Sequence, residues 1–460
     1  MESKFYSIND VAQMMGLSLK IVRRFVASGE LKSIKKNNTN LISQEDFNEF
    51  KKYYDEGKHL EHSRSVADSF KNVKVEQDLF TGTEDEIIVS QKSKKGDRVN
   101  WADIDSYWDN PGKSEMTYVD LFCGAGGLSK GFEMAGLHGV CGLDFFKEAC
   151  MTYNRNFDHP FINGDIKDPK NKELFYDTVK KQLKGKKLNI VAGGFPCQGF
   201  SMAGNRIVDD PRNSLYKELL EIVKELQPDF VVCENVKGLR SMLGGLVEKK
   251  IMADFEEIGY KMNVTTLCAA DYYTPQKRER VIFIGNKIGA NNYHPKPILS
   301  PDEYITTGEA IGDLMNHPED KAFNHEPTKH REDMAKKILE TPEGMSLYKG
   351  YSDAWKKCPW NEPSCTIKEN HGGVNLHPKL PRVLTAREMA RLQSFPDDFI
   401  FEGKKNKQLV QIGNAVPPFL GKAIGLSLRY SNNDLNVGKN VNSETDNDSK
   451  KSKKSKNSKK

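Results

Sequence analysis

Tyr118-Val119-Asp120-Leu121-Phe122-Cys123-Gly124-Ala125-Gly126-Gly127-Leu128 decides the fold class of this 460-residue chain. An apolar strand-type run, Tyr118–Phe122, breaks directly into a glycine-rich loop, and a helical pattern resumes near Leu128. Glycines let the backbone turn sharply and approach a ligand, and the helix that follows aims its amino end at it. No Gly-Lys-Ser/Thr follows and the spacing is not GxGxxG, so the loop is neither a phosphate loop nor a dinucleotide fingerprint. Downstream, Gly139–Leu143, Asn189–Ala192, Phe230–Cys233 and Val281–Ile284 read as further buried strands. Amphipathic helices lie between them, as in Leu215, Leu219, Leu220, Val223 and Leu226. This alternation predicts an α/β fold with a mainly parallel sheet covered on both faces.

Ligands of such sheets bind beyond the carboxyl ends of the strands, which makes the residues just after each strand the candidates. The first strand offers Asp120, Phe122, Gly124, Gly126 and Gly127; the second ends at Asp144, suited to ribose hydroxyls, with Phe145 beside it to stack on a purine. Asp165, in Gly164-Asp165-Ile166, suits an adenine amino group. Three strand ends so equipped describe a cofactor that contains a nucleoside. Further on, Gly193-Gly194-Phe195-Pro196-Cys197-Gln198-Gly199-Phe200-Ser201 puts a cysteine in a Gly/Pro-rich loop, placed for nucleophilic attack, whereas Cys233 in mid-strand reads as a small core residue. Glu234-Asn235-Val236 follows the strand Phe230–Cys233, and Gln276-Lys277-Arg278-Glu279-Arg280 precedes the strand from Val281. Singly these read as a core thiol, a capping Glu and a solvated basic turn; in this order they read as one site.

The flanks differ in character. Residues 1–60 form a unit of their own: a Ser or Asn cap, a short helix stopped at Gly16, then a second helix carrying Lys20, Arg23 and Arg24, with Ile21, Val22 and Phe25 facing inward. Lys32, Lys35 and Lys36 follow. This layout resembles the winged helix-turn-helix of excisionases and MerR-type regulators, which implies DNA contact through Lys20, Arg23, Arg24 and Lys35. Residues 61–115 are polar and read as a linker, with Trp101, Ile104, Tyr107 and Trp108 anchoring its end. Residues 431–460 carry eight Lys against four acids and read as a disordered tail; they account for most of the net charge of +5. No apolar run is long enough to span a membrane, and MESKFYSIND lacks the apolar core of a secretion signal, so a cytoplasmic, nucleoid-associated location is expected. The eight cysteines then stay reduced, and their spacing supports no metal site.

Together the central motifs resemble the cytosine-C5 DNA methyltransferases. Phe122–Gly127 is similar to the family's cofactor loop, Pro196-Cys197-Gln198 to its nucleophile loop, Glu234-Asn235-Val236 to its ENV motif and Gln276-x-Arg278-x-Arg280 to its QxRxR motif. The likeness resumes at Arg382–Pro396 and at Gln411–Pro418. It implies a Rossmann-like methyltransferase that uses S-adenosyl-L-methionine and no metal: a catalytic body over 116–286, a small target recognition lobe over 287–365, and a return to the body over 366–430, where Asn414 meets the cofactor. Family members commonly carry Glu where this chain has Asp144, so the reach to ribose is shorter. Cys197 is then the nucleophile on carbon 6 of cytosine, and Glu234 hydrogen-bonds N3 and the exocyclic amine. Arg280 holds the base carbonyl, Arg278 and Gln276 support the loop or touch phosphates, and Gln198–Asn205 closes over a flipped base. The implied partners are double-stranded DNA and a cognate restriction endonuclease, with a monomeric catalytic body. The same chemistry on transfer RNA, or a DNA-binding regulator with an accessory methyltransferase body, remain as alternatives.

Overall fold

A computed structural model of the chain describes residues 5–15, 22, 25–26, 31–36, 39–55, 86–87, 112–196, 215–348, 355–368 and 374–435. The chain divides into two units, Met1–Leu79 and Phe80–Lys460. In the first, β1 (Phe5–Ser7) leads into α1 (Ile8–Met15). Ser7 and Asp10 cap this helix reciprocally: Asp10 N–H donates to Ser7 Oγ at 3.2 Å and Ser7 N–H to Asp10 Oδ2 at 2.8 Å. The hairpin β2 (Ile34–Lys36) and β3 (Thr39–Ser43) precedes α2 (Gln44–Asp55), and the antiparallel sheet has the order β1-β3-β2. Val11, Val22, Phe25, Ile42, Phe47 and Phe50 form the core of this unit, so Val22 and Phe25 face inward as expected.

The second unit begins with β4 (Glu86–Ile87), which falls in the expected linker and pairs in parallel with β12 (His294–Pro295). Trp101, Ile104, Tyr107 and Trp108 lie outside the described residues. The main elements follow as β5 (Thr117–Leu121), α3 (Gly127–Met134), β6 (His138–Asp144), α4 (Lys147–Asn156), β7 (Phe161–Asn163), α5 (Pro169–Leu183) and β8 (Ile190–Gly193). Then come α6 (Leu215–Leu226), β9 (Phe230–Val236), α7 (Leu246–Glu257), β10 (Lys261–Cys268) and β11 (Glu279–Asn286). One sheet of order β10-β11-β9-β8-β5-β6-β7 results; β11 runs antiparallel to both its neighbours and the rest is parallel.

Alternate residues of the strands enter two different cores. Tyr118, Ile190 and Val232 join Leu128 and Phe132 of α3, whereas Val119, Val191 and Val231 join α5, α6 and α7 through Phe175, Leu219 and Phe255. Burial on both faces is why these strands are near-continuous apolar runs.

Four boundaries differ from expectation. β9 continues through Val236 and β11 starts at Glu279, because the two pair from Phe230↔Asn286 to Val236↔Arg280; Glu234, Asn235 and Arg280 therefore sit on rigid strands. Over 287–365, α8 (Thr307–Ile311) and α9 (Glu332–Glu340) contribute Ala310, Ile311 and Ile338 to the same core as Tyr118, so this segment has no separate core among the described residues. After α10 (Ala386–Leu392) and α11 (Lys405–Asn414), a last helix covers 418–435. Ser431 is buried in it, so the first five residues of the expected tail belong to the fold.

Candidate active site

The glycine-rich loop is built from strand β5 outward. Phe122 adopts a left-handed conformation at φ 56°, uncommon for an aromatic residue, and Gly126 at φ 91° could not carry a Cβ, which would lie 2.4 Å from the Phe157 ring. Gly127 opens α3 against the returning 411–418 segment: a Cβ there would meet the Val416 carbonyl oxygen at 2.1 Å. That contact brings the exposed Asn414, at the end of α11, to the glycine-rich side of the sheet. Asp144 ties the strand ends together. Its Oδ2 accepts the Gly124 N–H at 2.8 Å, its Oδ1 accepts the Phe146 N–H at 2.8 Å, and its carbonyl accepts the Gly164 N–H at 3.0 Å. Burial pushes the Asp144 carboxyl up, and these amide bonds oppose that. Phe145 beside it is 74% exposed, an aromatic face with no packing use for its area. Asp165 is exposed, and its Oδ1 accepts the Lys167 N–H at 3.0 Å.

The neighbouring strand ends build a second cluster. Glu234 pairs across the sheet with Ile282, so Arg280, two residues away, projects from the same face. Arg280 Nε and Glu234 Oε1 are 2.8 Å apart, with side chains only 12% and 13% exposed. The other carboxylate oxygen covers Gly194, where a Cβ would lie 3.0 Å from Oε2. Asn235 points to the opposite face and donates its Nδ2–H to the Phe195 carbonyl at 2.9 Å, fixing the loop two residues before Cys197. Cys197 itself and the rest of 197–214 lie outside the described residues. A carboxyl group held by a guanidinium at the mouth of a cysteine loop can bind a polar heterocycle and exchange a proton with it.

Residues 116–429 match the model of the C-5 cytosine-specific DNA methylase family, and residues 5–52 match that of a helix-turn-helix domain. The chain belongs to the C-5 cytosine-specific DNA methylase family. Among its relatives, the Type II methyltransferase M1.HphI of Haemophilus parahaemolyticus is 40% identical over 325 residues, covering 67% of this chain and 85% of that protein. M.DdeI of Desulfomicrobium norvegicum is 31% identical over 389 residues, covering 70% and 90%. M.Eco47II of Escherichia coli is 27% identical over 448 residues, covering 92% and 95%. A solved DNA modification methyltransferase encoded within an E. coli prophage has a TM-score of 0.56 at 24% identity, over 69% of this chain and 100% of that one, a likeness of fold.

In this DNA cytosine methyltransferase, Arg278 keeps the supporting role expected of it and not the contact with phosphate. Arg278 is 1% exposed, and its guanidinium donates to the carbonyls of Ile367 at 2.9 Å and of Gly413 and Ala415 at 3.0 Å. It cannot reach a base or a phosphate from there; it fastens the returning segments to the sheet, as does Gln276, whose amide bonds Leu392 O, Gln393 Oε1 and the Ile367 N–H. Lys20, Arg23 and Arg24 lie outside the described residues, and Lys35 lies on β2. Among the described residues, no group of three or more His, Cys, Asp or Glu could hold a metal ion, and no helix is long and apolar enough to cross a membrane.

Asp120 also differs from its expected place. It is 1% exposed beneath the loop and accepts the Ser129 hydroxyl at 2.6 Å; Ser129 in turn meets the Tyr153 hydroxyl at 2.8 Å, and Tyr153 meets His159 Nε2 at 2.7 Å. It supports the loop from below rather than touching a ligand. Burial raises its carboxyl from the ordinary 3.8 to about 7, with the nearby Asp144 and Glu234 carboxylates adding to the effect of burial and the Ser129 hydroxyl opposing it. The folded state thus holds a proton that the unfolded chain has lost, and stability falls as pH rises from about 4 to 7. Asp120→Asn keeps an acceptor for Ser129 and removes the titration. The stability difference between variant and wild type, read by denaturant titration, should shift by roughly 2–3 kcal/mol in favour of the variant between pH 5 and pH 8. A difference constant across that range would remove Asp120 from this role.

Proposed function

We propose that the methylase transfers a methyl group from S-adenosyl-L-methionine to carbon 5 of a cytosine flipped out of a specific short duplex sequence, as the modification partner of a restriction endonuclease. The observation that carries it is the Glu234 carboxylate, held by Arg280 and lying over Gly194 at the entry to the Cys197 loop. The cofactor side fits: a glycine loop at a helix amino end, a buried Asp144 and the exposed ring of Phe145 suit an amino-acid tail, a ribose and an adenine respectively. When bound, S-adenosyl-L-methionine supplies an electrophilic methyl group.

Cytosine carbon 5 is too electron-poor to take that methyl unaided. The Cys197 thiolate adds to carbon 6, and Glu234 places a proton at N3, so the ring becomes an enamine that is nucleophilic at carbon 5. Arg280 has its Nε on Glu234 and its Nη1 on the Glu279 carbonyl, and in this reading it holds the base carbonyl. After methylation, the carbon 5 proton passes to water, the N3 proton returns to Glu234, and departure of the Cys197 sulfur restores the aromatic ring. Stacked duplex blocks approach to carbon 6, so the base leaves the helix at a cost of a few kcal/mol. Names of relatives as Type II methyltransferases support the restriction-modification setting.

Bisulfite sequencing of DNA from cells expressing the chain is the test. Protected cytosines at one short motif are expected; unmodified DNA together with methylated transfer RNA would overturn the reading. The helix-turn-helix match favours a second DNA contact, through which the amino-terminal unit represses its own operon. Deleting residues 1–62 should abolish promoter binding in a gel-shift assay and spare methylation. Unchanged promoter affinity would refute it.

A further inference from the structure

The geometry points to Cys358 and Cys365 as a reversible oxidation site at which peroxide, by closing a disulfide, slows methyl transfer. The two sulfurs are 4.0 Å apart. Cys358 is fully buried in the main core, while Cys365 is partly exposed, so an oxidant reaches Cys365 first. Three features suit Cys365 to attack. It shares a hydrogen bond with the Cys358 thiol, Lys356 lies near it, and Asn375 Nδ2–H donates to its sulfur at 3.1 Å. These hold the Cys365 thiol below its ordinary range against the effect of burial, whereas the hydrogen bond with Cys365 and burial push Cys358 up.

The chemistry balances with hydrogen peroxide as the oxidant. The Cys365 thiolate attacks one peroxide oxygen, the O–O bond breaks, and the departing hydroxide takes a proton to become water. Cys358 sulfur then attacks the resulting sulfenic acid, the S–O bond breaks, and a second water leaves with the Cys358 proton. Two thiols lose two electrons and one peroxide becomes two waters. A dithiol reductant reverses the step by exchange.

Position makes this bond consequential. Closing the gap to about 2.05 Å draws the backbone around Cys365 inward. That backbone is zipped to the QxRxR segment: Ser364 N–H donates to Pro275 O and Lys277 N–H to Ser364 O, both at 2.9 Å. Ile367 N–H donates to Gln276 Oε1 at 2.8 Å, and Arg278 to the Ile367 carbonyl at 2.9 Å. Two residues on is Arg280, paired with Glu234. Cys358 is anchored on the other side, its N–H donating to Leu376 O at 3.1 Å. Strain between the two anchors is therefore delivered to the strand that orients Arg280.

The effect on rate rests on the proposed function; formation of the bond does not. The full chain is treated with hydrogen peroxide, digested without reductant and mapped by mass spectrometry, with methyl transfer to DNA followed in parallel. A 358–365 crosslink is expected, with a roughly tenfold slower rate that dithiothreitol restores. Cys358→Ala and the milder Cys365→Ser should lack the crosslink and the reversible loss, which separates the pair from oxidation of Cys197. Absence of the crosslink, or equal loss of activity in wild type and both variants, would overturn the proposal. Failure of the reduced wild type to methylate DNA would instead count against the function proposed above.

Discussion

Cys197→Ser should lower methyl transfer to DNA by about 10^4-fold or more while cofactor affinity stays within about twofold. A thiol of ordinary pKa near 8.5 supplies some thiolate at neutral pH, whereas a serine hydroxyl supplies essentially no alkoxide. Removal of a nucleophile elsewhere costs up to about 10^6-fold. The groups proposed to hold the cofactor, Asp144, Phe145 and the 124–127 loop, hang from β5 and β6, whereas Cys197 follows β8, so calorimetric binding of the cofactor should barely change. An oligonucleotide with 5-fluorocytosine at the target adds a direct readout. Fluorine leaves no proton to lose at carbon 5, so wild type should be trapped as a covalent adduct and the variant should not. A rate within tenfold of wild type, or an adduct formed by the serine variant, would remove Cys197 as the nucleophile.

Both the fold and the grouping of the motifs were legible because strands buried on two faces leave unmistakable apolar runs, with the working residues at their ends. What escaped did so for identifiable reasons. β7 is three residues long, too short for any period, and β10 interleaves Asn263, Thr265 and Thr266 with apolar neighbours, so it reads as loop. β9 seemed to stop at Cys233 because Glu234 and Asn235 are polar, but pairing with β11 carries it on. Arg278 escaped for a deeper reason. Between Lys277 and Glu279 it looks solvated, yet its acceptors lie 89, 135 and 137 residues further along the chain, beyond the reach of local pattern. Asn235 could have been found. Strand alternation puts it opposite Glu234, facing the loop after β8, and a buried Asn there needs a backbone partner.

Glu234→Gln should reduce kcat by about 10^2- to 10^4-fold, the usual range for an acid-base group, with DNA affinity little altered. Glutamine fills the same volume over Gly194 and still accepts from Arg280, so the loop and the pair are preserved in shape. What it cannot do is deliver a proton to N3 as sulfur adds to carbon 6, and the negative charge that then builds on the ring goes unmatched. The deficit belongs to the chemical step and should appear in single-turnover rates at saturating DNA and cofactor; a rate within threefold of wild type would show that the carboxyl has no part in activating the base. Arg280→Met sharpens the argument. If, as proposed, the guanidinium and the carboxylate act on one base through one contact, the double variant should be less impaired than the product of the two single effects, with a coupling of about 0.5–3 kcal/mol. Independent effects would mean that Arg280 works on the base alone, and that its 2.8 Å contact with Glu234 is a resting arrangement which the substrate breaks.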